Sequence, residues 1–360
     1  MEDRESHLPV GKLRGELLGR LLAEYATTDP TVIVGPGTGG DAAAIAVGDA
    51  TIVVKSDPIT FTSQNPARYL VDVNANDLAC LGARPRWLMV TALLAEGRTT
   101  AAQVEAHFRE LRDLCREREI SLVGGHTEVT VGLARPILVG VLIGEVARDK
   151  LLKPGGARPG DHLLLTKALA IEGTALLAGE LPGPRRSAFD ATLLERAAHL
   201  LIDPGISIVP EAITLLNAGG VTALHDPTEG GLATGVRELA LVAGCGATID
   251  RDAVPILPET EALAAEFGLD PLGMLASGSL LVAADPDAAE QLTRRASAAG
   301  IEITRIGSIT GETNEFRLRA RGREELLPAF DSDEITRVLR ELREAADGAA
   351  PEAHAARPST

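Results

Sequence analysis

The sequence predicts an α/β (α+β) protein of two domains, and three observations lead to this prediction. Strand-like apolar runs alternate with segments of helical spacing along most of the 360 residues. A connection rich in proline and glycine, at 153–167, separates two halves of similar size. Short clusters of glycine and acidic residues follow apolar runs, where ligand-binding loops usually leave a sheet. We therefore expect an N-terminal domain at 1–155, a C-terminal domain at 156–345 and a disordered polar tail at 346–360.

The N-terminal half is predicted to alternate helices with strands. Four leucines share one face of the first helix, and Thr100 suits the N-cap of the third. In the second helix, Asp77 lies in line with apolar residues at intervals of three and four. It is therefore either at the edge of the buried stripe or a ligand that points into a site. The predicted helices are 13–26, 67–82 and 100–119, and the predicted strands are 31–35, 42–47, 51–57, 85–94, 120–125 and 135–146.

The C-terminal half again mixes the two kinds of element. The connection at 153–167 leads into a strand-like run that contains His162. Helical spacing predicts helices at 190–202 and 333–345, and a continuous apolar run predicts a strand at 277–284.

Composition and charge exclude several classes of function. The formal net charge is −16, and the 35 lysines and arginines form no basic stripe, which argues against a nucleic-acid surface. The three cysteines have no spacing that suits zinc or a redox pair. The N-terminus has no apolar signal region, and no run approaches the roughly 20 apolar residues that span a bilayer. We expect a soluble, cytoplasmic protein that binds neither nucleic acid nor a membrane.

The clusters of glycine and acidic residues indicate a nucleoside triphosphate site. Mg²⁺ takes one or two carboxylates and leaves its other positions to water and phosphate oxygens, while glycine lets backbone N–H groups approach those oxygens. The clusters are GPGTGGDAA (35–43), KSDPIT (55–60), NANDLACLGARP (74–85), GGHTEVT (124–130) and HDPTEGG (225–231).

Two familiar nucleotide motifs do not account for these clusters. Residues 35–40 match G-x-G-x-x-G, and Asp57 follows at a distance that suits a ribose partner. A dinucleotide fingerprint opens a helix, however, whereas here the chain continues into the strand-like run at 42–47. The P-loop string G-x-x-x-x-G-K-[ST] does not occur. A nucleotide must therefore be bound in another way.

The clusters resemble those of a known superfamily. GPGTGGDAAAI, SDPIT, NDLACLGARP, GGHTEV, ARPGDHLLLTK and DPTEGG occur in the order typical of the aminoimidazole ribonucleotide (AIR) synthetase-like proteins. That superfamily includes thiamine-monophosphate kinase, selenophosphate synthetase and the carbamoyl dehydratase HypE. The resemblance covers about 9–345, and the LPVGKL and DPTEGGLATGVRE segments are similar to those of HypE-like members.

The resemblance implies a homodimer in which the N-terminal sheets pair and ATP lies between the domains, near the subunit interface. It implies that Mg²⁺ is held by Asp41, Asp57 and Asp77. It leaves the catalytic residue open, with Asp226, His225 and Glu229 as candidates. It places ATP against Gly39, Gly40, Lys55, Gly124, Gly125, His126, Thr127 and Thr228.

Several of these residues also have a purely structural interpretation. An aspartate at a strand end often forms a turn or a cap, and Gly39 and Gly40 suit a tight turn. Lys55 either contacts a phosphate as a point charge or pairs with Asp57, two residues on along the strand. A loop histidine such as His225 is usually structural.

The chain departs from the superfamily pattern at three places. Gly40 stands where relatives commonly carry an acid, and His126 where many carry aspartate, with Glu128 near enough to compensate. HypE carries its substrate on a terminal cysteine, whereas the last cysteine here is Cys245. The implied activity is ATP-dependent phosphorylation of an amide or carbonyl oxygen on a small or protein-borne substrate. The alternatives are a small-molecule kinase and a non-catalytic nucleotide-binding assembly protein.

Overall fold

A computed structural model of the chain describes residues 13, 15–24, 27–35, 42–60 and 64–348. Three residues assigned to the nucleotide site, Gly39, Gly40 and Asp41, lie outside the described residues, as does most of the predicted tail. The described helices are α1 (Gly15–Glu24), α2 (Pro66–Cys80), α3 (Ala101–Glu117), α4 (Ile171–Glu180), α5 (Gly183–Arg186), α6 (Ala191–His199), α7 (Val209–Ala218), α8 (Gly231–Val242), α9 (Pro258–Phe267), α10 (Pro286–Ala298) and α11 (Glu334–Gly348). The described strands are β1 (Val32–Val34), β2 (Ala43–Val47), β3 (Ala50–Ile59), β4 (Arg84–Ala95), β5 (Ser121–Thr130), β6 (Ile137–Ala147), β7 (His162–Thr166), β8 (Val221–His225), β9 (Gly246–Asp250), β10 (Leu281–Ala284), β11 (Ile303–Thr310), β12 (Phe316–Ala320) and β13 (Arg323–Leu326).

The strands form two separate mixed sheets with helices packed on them, which confirms the predicted α/β class. The first sheet has the order β1-β2-β3-β6-β4-β5 and the second the order β13-β12-β9-β11-β7-β10-β8. Burial alternates along β6, as expected for a strand with one face on the core. Strand β5 pairs in parallel with β4 and forms the edge of the first sheet.

Helix α2 is buried on almost every side, which the predicted single apolar stripe did not anticipate. Arg68 and Val73 are its only residues outside the buried class. The helix packs on β3, β4 and β6 of the first sheet, and it also contacts α7 and β8 of the second half. Gly140 and Gly144 of β6 permit this close packing, because a Cβ there would lie 3.2 Å from Leu70 Cγ and 2.8 Å from Leu78 Cδ2, respectively.

Two buried polar residues of α2, Asp72 and Asn76, are hydrogen-bonded to partners distant in sequence. Asp72 is buried and accepts hydrogen bonds from Arg118 at 2.8 and 3.2 Å. The Asn76 amide donates to the carbonyl of Ile206 and its oxygen accepts from the N–H of Ile208, both at 2.9 Å. These two bonds join the helix beneath the first sheet to the start of α7. Helix α2 therefore connects the two halves of the molecule.

Two predicted elements of the second half are shorter than expected. The helix at 190–202 ends at His199, and the backbone leaves helical geometry altogether at Asp203 (φ −137°, ψ 114°), just before Pro204. The strand at 277–284 begins only at Leu281. The preceding residues turn instead, since Gly278 has φ +107° and the N–H of Ser279 donates to the carbonyl of Ala276.

One stretch of the described residues, Ala191–Ala218, which includes α6, the break at Asp203 and α7, is long and apolar enough to cross a membrane by length and composition alone. Its most apolar window is 44% buried inside the protein. Leu194, Ala197 and Leu215 of this stretch pack in apolar clusters of the second half. These contacts are those of a core helix pair.

Candidate functional site

A small cleft between the two halves brings together acidic residues from distant parts of the chain. Asp77 and Cys80 of α2 line one side, and His225 and Asp226 at the end of β8 line the other. Residues 152–155, which connect the halves, close a third side. The cleft therefore unites the NANDLACLGARP and HDPTEGG clusters, which lie about 150 positions apart in the sequence.

Lys55 lies between the two described aspartates that were assigned to Mg²⁺. Its Nζ is 2.8 Å from Asp77 Oδ2 and 3.6 Å from Asp57 Oδ2. Lys55 and Asp57 share a face of β3 because side chains alternate along a strand. The Asp77 side chain is 4% exposed and that of Asp57 is 35% exposed. The sequence left two roles open for Lys55, contact with a phosphate or pairing with Asp57. It gave no indication of the closer pairing with Asp77.

The HDPTEGG loop is fixed on several sides. Cys80 Sγ donates to Asp226 Oδ1 at 3.5 Å, which links α2 to the loop. The Thr228 carbonyl accepts from the N–H groups of Gly231 at 3.0 Å and Ala276 at 3.3 Å. Gly231 has φ +64°, and a Cβ there would lie 2.5 Å from the Leu272 carbonyl oxygen, so only glycine fits.

His225 has a clear structural contact. Its Nε2 lies 3.0 Å from Glu238 Oε2 of α8, and the residue is buried. A β-carbon on Gly235 would come within 3.2 Å of the His225 ring, so α8 packs directly on it. The bond to Glu238 fixes the ring orientation and agrees with the structural interpretation of this histidine.

Two buried carboxyl groups, Glu172 and Asp333, were not identified from the sequence. The pKa of Glu172 is raised to about 7, mainly by burial; the interaction with Ser277 opposes this rise, and the charges of Asp333, Asp57 and Glu229 contribute to it. Burial also raises the pKa of Asp333 to about 7, against the opposing effect of hydrogen bonds from backbone N–H groups. Both carboxyl groups therefore exchange protons near neutral pH.

Both carboxyl groups are linked to residues of the candidate site. The charges of Asp57 and Glu229 act on Glu172, and Asp333 accepts a hydrogen bond from the N–H of Gly230 in the HDPTEGG loop. Glu172 stands out in the sequence as a lone charge within an apolar run, ALAIEGTALLAG (168–179), which was the available signal. Asp333 directly precedes α11, where a helix cap is the ordinary expectation.

The GGHTEVT cluster lies on the exposed edge strand β5. Strand pairing aligns Asp57 with Gly140, Gly140 with Val90, and Val90 with Gly125. Three strand spacings therefore separate Asp57 from Gly125, about 14 Å across the sheet. Within one chain, Gly124, Gly125, His126 and Thr127 are not brought to the cleft of Asp57 and Asp77. His126 Nε2 lies instead 3.1 Å from Glu128 Oε2, and both side chains are exposed.

The described residues contain no group of three or more histidine, cysteine, aspartate or glutamate side chains arranged to hold a metal ion. Asp41, the third residue assigned to Mg²⁺, lies outside them. The described part of the assigned set is therefore the pair Asp57 and Asp77 with Lys55 between them.

Two mixed sheets joined by a buried helix, with carboxylates of both halves on a shared cleft, define a two-domain α/β protein with a polar cleft between its halves. Family models for the N-terminal and C-terminal domains of AIR synthase related proteins match residues 39–146 and 158–318. The chain belongs to the AIR synthase related family, which confirms the superfamily inferred from the sequence clusters.

Individual relatives and solved structures agree with this assignment. The chain is 31% identical over 292 residues to carbamoyl dehydratase HypE of Cupriavidus necator, covering 77% of this chain and 79% of the relative. It is 28% identical to a putative hydrogenase expression/formation protein of Methanocaldococcus jannaschii, covering 81% of this chain and 85% of the relative.

Among solved structures, a HypE–HypF complex matches with a TM-score of 0.71 at 18% identity, covering 88% of this chain and 100% of that chain. A hydrogenase maturation protein HypE in complex with ATP matches with a TM-score of 0.67 at 23% identity, covering 87% and 95%. A ThiL protein complexed with AMPPCP and TMP matches with a TM-score of 0.68 at 17% identity, covering 89% and 99%. These structural similarities confirm the fold.

Proposed function

We propose that this protein is an ATP-dependent enzyme that phosphorylates an amide or carbonyl oxygen and thereby activates it. The observation that carries the proposal is the meeting of Asp77 and Asp226 on the cleft between the halves, with the Lys55 ammonium bonded to Asp77 and close to Asp57. The relatives supply the reaction class, since curated members are named carbamoyl dehydratases. The solved structure of HypE with ATP supports the nucleotide.

The residues fit a magnesium ion bound mainly by phosphate and water. Mg²⁺ usually takes one or two carboxylates from a protein and completes its shell with water and substrate oxygens. Asp57 and Asp77 supply two carboxylates, and the Lys55 ammonium lies within 3.6 Å of the first and 2.8 Å of the second, so their charges already face a common cation. Asp57 and Asp77, with Asp41 as a third candidate, would hold the ion, which would neutralise charge on the triphosphate.

The remaining groups of the cleft would position the reactants and move protons. In the proposed reaction the substrate oxygen forms a bond to the γ-phosphorus while the bond from that phosphorus to ADP breaks. For an amide, departure of phosphate with that oxygen and loss of the nitrogen protons complete a dehydration. Asp226 and Glu229 are the candidate proton acceptors, while His225 is held by Glu238. Positioning and electrostatics would supply most of the rate enhancement.

We also propose that the enzyme is a homodimer built on the exposed edge of the first sheet. Strand β5 is exposed along almost its whole length. Its side chains include large apolar groups, with Val123 54% and Val129 62% exposed. An exposed apolar strand edge is normally paired or covered. Such pairing would place the glycines of β5 at a subunit interface, where the family resemblance expects part of the nucleotide site.

The substrate would be carried by a small molecule or by another protein. Cys80, Cys115 and Cys245 are all buried, so none offers an accessible sulfur for a carried group. The existence of a solved HypE–HypF complex supports a protein partner for this class of enzyme. A cysteine-bearing partner protein is therefore our candidate for delivering an amide.

A small-molecule kinase is the second candidate function, favoured by the similarity to a ThiL structure with AMPPCP and TMP. The two functions differ in their products. A kinase leaves the phosphoryl group on the acceptor, whereas a dehydratase releases free phosphate together with ADP.

The test is to incubate the full chain with ATP and Mg²⁺, alone and with carboxamide, carbamoyl-thiol and thiamine-monophosphate acceptors. Chromatography would follow ADP, free phosphate and phosphorylated acceptor. We expect ADP and phosphate with an amide acceptor, and phosphorylated acceptor would instead support the kinase. ATP binding without turnover of any acceptor would support the non-catalytic alternative.

The site assignment has its own test. Asp57→Asn and Asp77→Asn are each expected to weaken Mg²⁺-dependent ATP binding by about tenfold or more, because each removes a charge from the metal-binding pair. Asp113→Asn, the same change on the exposed face of α3, is the control. Unchanged affinity in both cleft variants would remove the assignment.

A further inference from the structure

A second cavity lies within the C-terminal half, away from the cleft of Asp57 and Asp77. Its volume is about 870 Å³, which is in the range of small-molecule sites. The end of α6, the Asp203–Pro204 segment and the 300–302 turn line it. It shares no lining residue with the cleft between the halves.

The floor of this cavity is a buried ion pair. Lys167 Nζ lies 2.9 Å from Glu211 Oε1, and the two side chains are only 11% and 6% exposed. Glu211 Oε2 is buried and has no hydrogen-bond partner among the described residues. A buried acceptor without a donor is uncommon in native proteins and indicates a missing partner.

Lys167 cannot be that missing partner. Its ammonium donates to the Ser207 carbonyl at 2.6 Å and to the Gly205 carbonyl at 3.3 Å, in addition to Glu211 Oε1. An ammonium group has three N–H donors, so all of them are in use. The positive charge of Lys167 is thus committed to the fold, and the floor offers a ligand only an acceptor.

The charges of the walls have the same sign as this acceptor. Arg196 Nε lies 2.6 Å from Glu259 Oε1. Arg196 and Lys167, the arginine and the lysine of the cavity, therefore both have acidic partners already. Three further carboxylates line the cavity and form no ion pair among the described residues: Glu195, Asp203 and Glu302. The cavity therefore carries an excess of negative charge.

We propose that this cavity binds a small molecule bearing a cationic amine. The ammonium group would donate to Glu211 Oε2 on the floor while the carboxylates of Asp203 and Glu302 complement its charge at the mouth. Charge-assisted hydrogen bonds of this kind are the stronger ones in proteins. The ligand is defined by its donor group and charge, and the site is independent of the proposed nucleotide site.

The experiment uses the full chain and isothermal titration calorimetry at constant ionic strength. The probes are putrescine, spermidine and L-arginine, with succinate and inorganic phosphate as anionic counterparts. We expect saturable binding of at least one amine and no binding of the anions at this cavity. When the amine is bound, backbone amide hydrogen exchange should be slower in residues 200–207 and 300–303.

Two variants locate the binding. Glu211→Gln keeps a carbonyl oxygen for Lys167 but replaces an acceptor by a donor, and it should weaken amine binding about tenfold or more. Glu302→Gln changes an exposed residue at the mouth and should not affect folding. It should also weaken amine binding, so it tests the proposal even if Glu211→Gln does not fold. Glu290→Gln on α10 is the matched exposed control and should bind as the wild type does.

Three results would overturn the proposal: no saturable binding of any amine, equal affinity in the wild type and both cavity variants, or preferential binding of the anions. ATP binding is measured on the same samples. If the wild type binds an amine but not ATP, the result counts against the proposed function and leaves the amine site intact.

Discussion

Position 125 requires glycine for a structural reason that is separate from any contact with phosphate. Its φ is +146°, and a Cβ at this position would lie 1.9 Å from the carbonyl oxygen of Val90 on the neighbouring strand. The adjacent Gly124 differs, since its nearest contact would be Met89 Cε at an ordinary 3.7 Å. The two glycines therefore form a matched pair for mutation.

We expect Gly125→Ala to lower the free energy of unfolding by about 2 kcal/mol or more, because β4 and β5 must separate locally. Gly124→Ala should change it by less than about 1 kcal/mol. Urea unfolding of both variants measures the difference. Equal stability of the two variants would show that the close approach to Val90 is relieved without cost.

Glu172 is one of two buried carboxyl groups whose ionisation connects stability with pH. Its pKa is raised from 4.5 to about 7 by burial first and by neighbouring acids second. The folded state therefore holds the proton to a higher pH than the unfolded state does. The resulting stabilisation is complete below about pH 4.5 and is lost as the pH rises through about 7.

Glu172→Gln removes this dependence because the amide does not titrate. Relative to the wild type, the variant should gain stability between pH 4.5 and pH 8, by up to about 3 kcal/mol. Urea unfolding at pH 5 and pH 8 measures the gain, and Glu261→Gln on an exposed position of α9 is the control. A gain equal to that of the control would mean that Glu172 is not held protonated by its surroundings.

Helix α11 and the HDPTEGG loop are joined through one carboxylate. Asp333 Oδ2 accepts from the N–H of Gly230 at 2.8 Å, and Oδ1 accepts from the N–H of Ile335 at 3.0 Å. The same side chain therefore serves the first turns of α8 and α11. Ile335, Val338 and Leu339 dock the helix in the main apolar cluster. Docking of α11 thus stabilises the loop that carries Thr228 and Glu229.

We expect Asp333→Asn to speed amide hydrogen exchange in residues 228–232, because an amide offers one acceptor oxygen and leaves one of the two N–H groups without a partner. Asp331→Asn, the same change at an exposed position two residues earlier, should leave exchange unchanged. Mass spectrometry of exchanged peptides measures both. Identical exchange in the two variants would show that the loop is fixed without α11.

The elements themselves were largely predictable, because their signals are local. Thr100 and Gln103 form the capping box that opens α3, as the threonine suggested. The strand-like apolar runs located β3 and β6. The burial of α2 was not predictable in this way, since periodicity cannot reveal that a second sheet covers the opposite face of a helix.

The candidate site likewise has features that the local sequence predicts and features that depend on tertiary packing. The acidic clusters and their order were readable, and they indicated both the family and the aspartates of the cleft. The pairing of Lys55 with Asp77 and the effect of the Asp57 charge on Glu172 involve residues that are far apart or on different elements of the chain. Such contacts follow from the packing of the two halves, for which a single sequence carries no direct signal.

The two halves fold as one unit if α2 is their common core. Asn76 makes the two hydrogen bonds that join α2 to the segment before α7, and it is completely buried. Asn76→Ala leaves the Ile206 carbonyl and the Ile208 N–H buried without partners, which costs about 2–4 kcal/mol.

Because the lost bonds connect the halves, we expect calorimetry to show two thermal transitions in Asn76→Ala where the wild type shows one. Gln291→Ala removes an exposed bond of the same kind, from the side-chain amide to the Ala218 carbonyl at 2.9 Å, and should keep a single transition. A single, merely lowered transition in Asn76→Ala would mean that apolar packing around α2 couples the halves without its polar bonds.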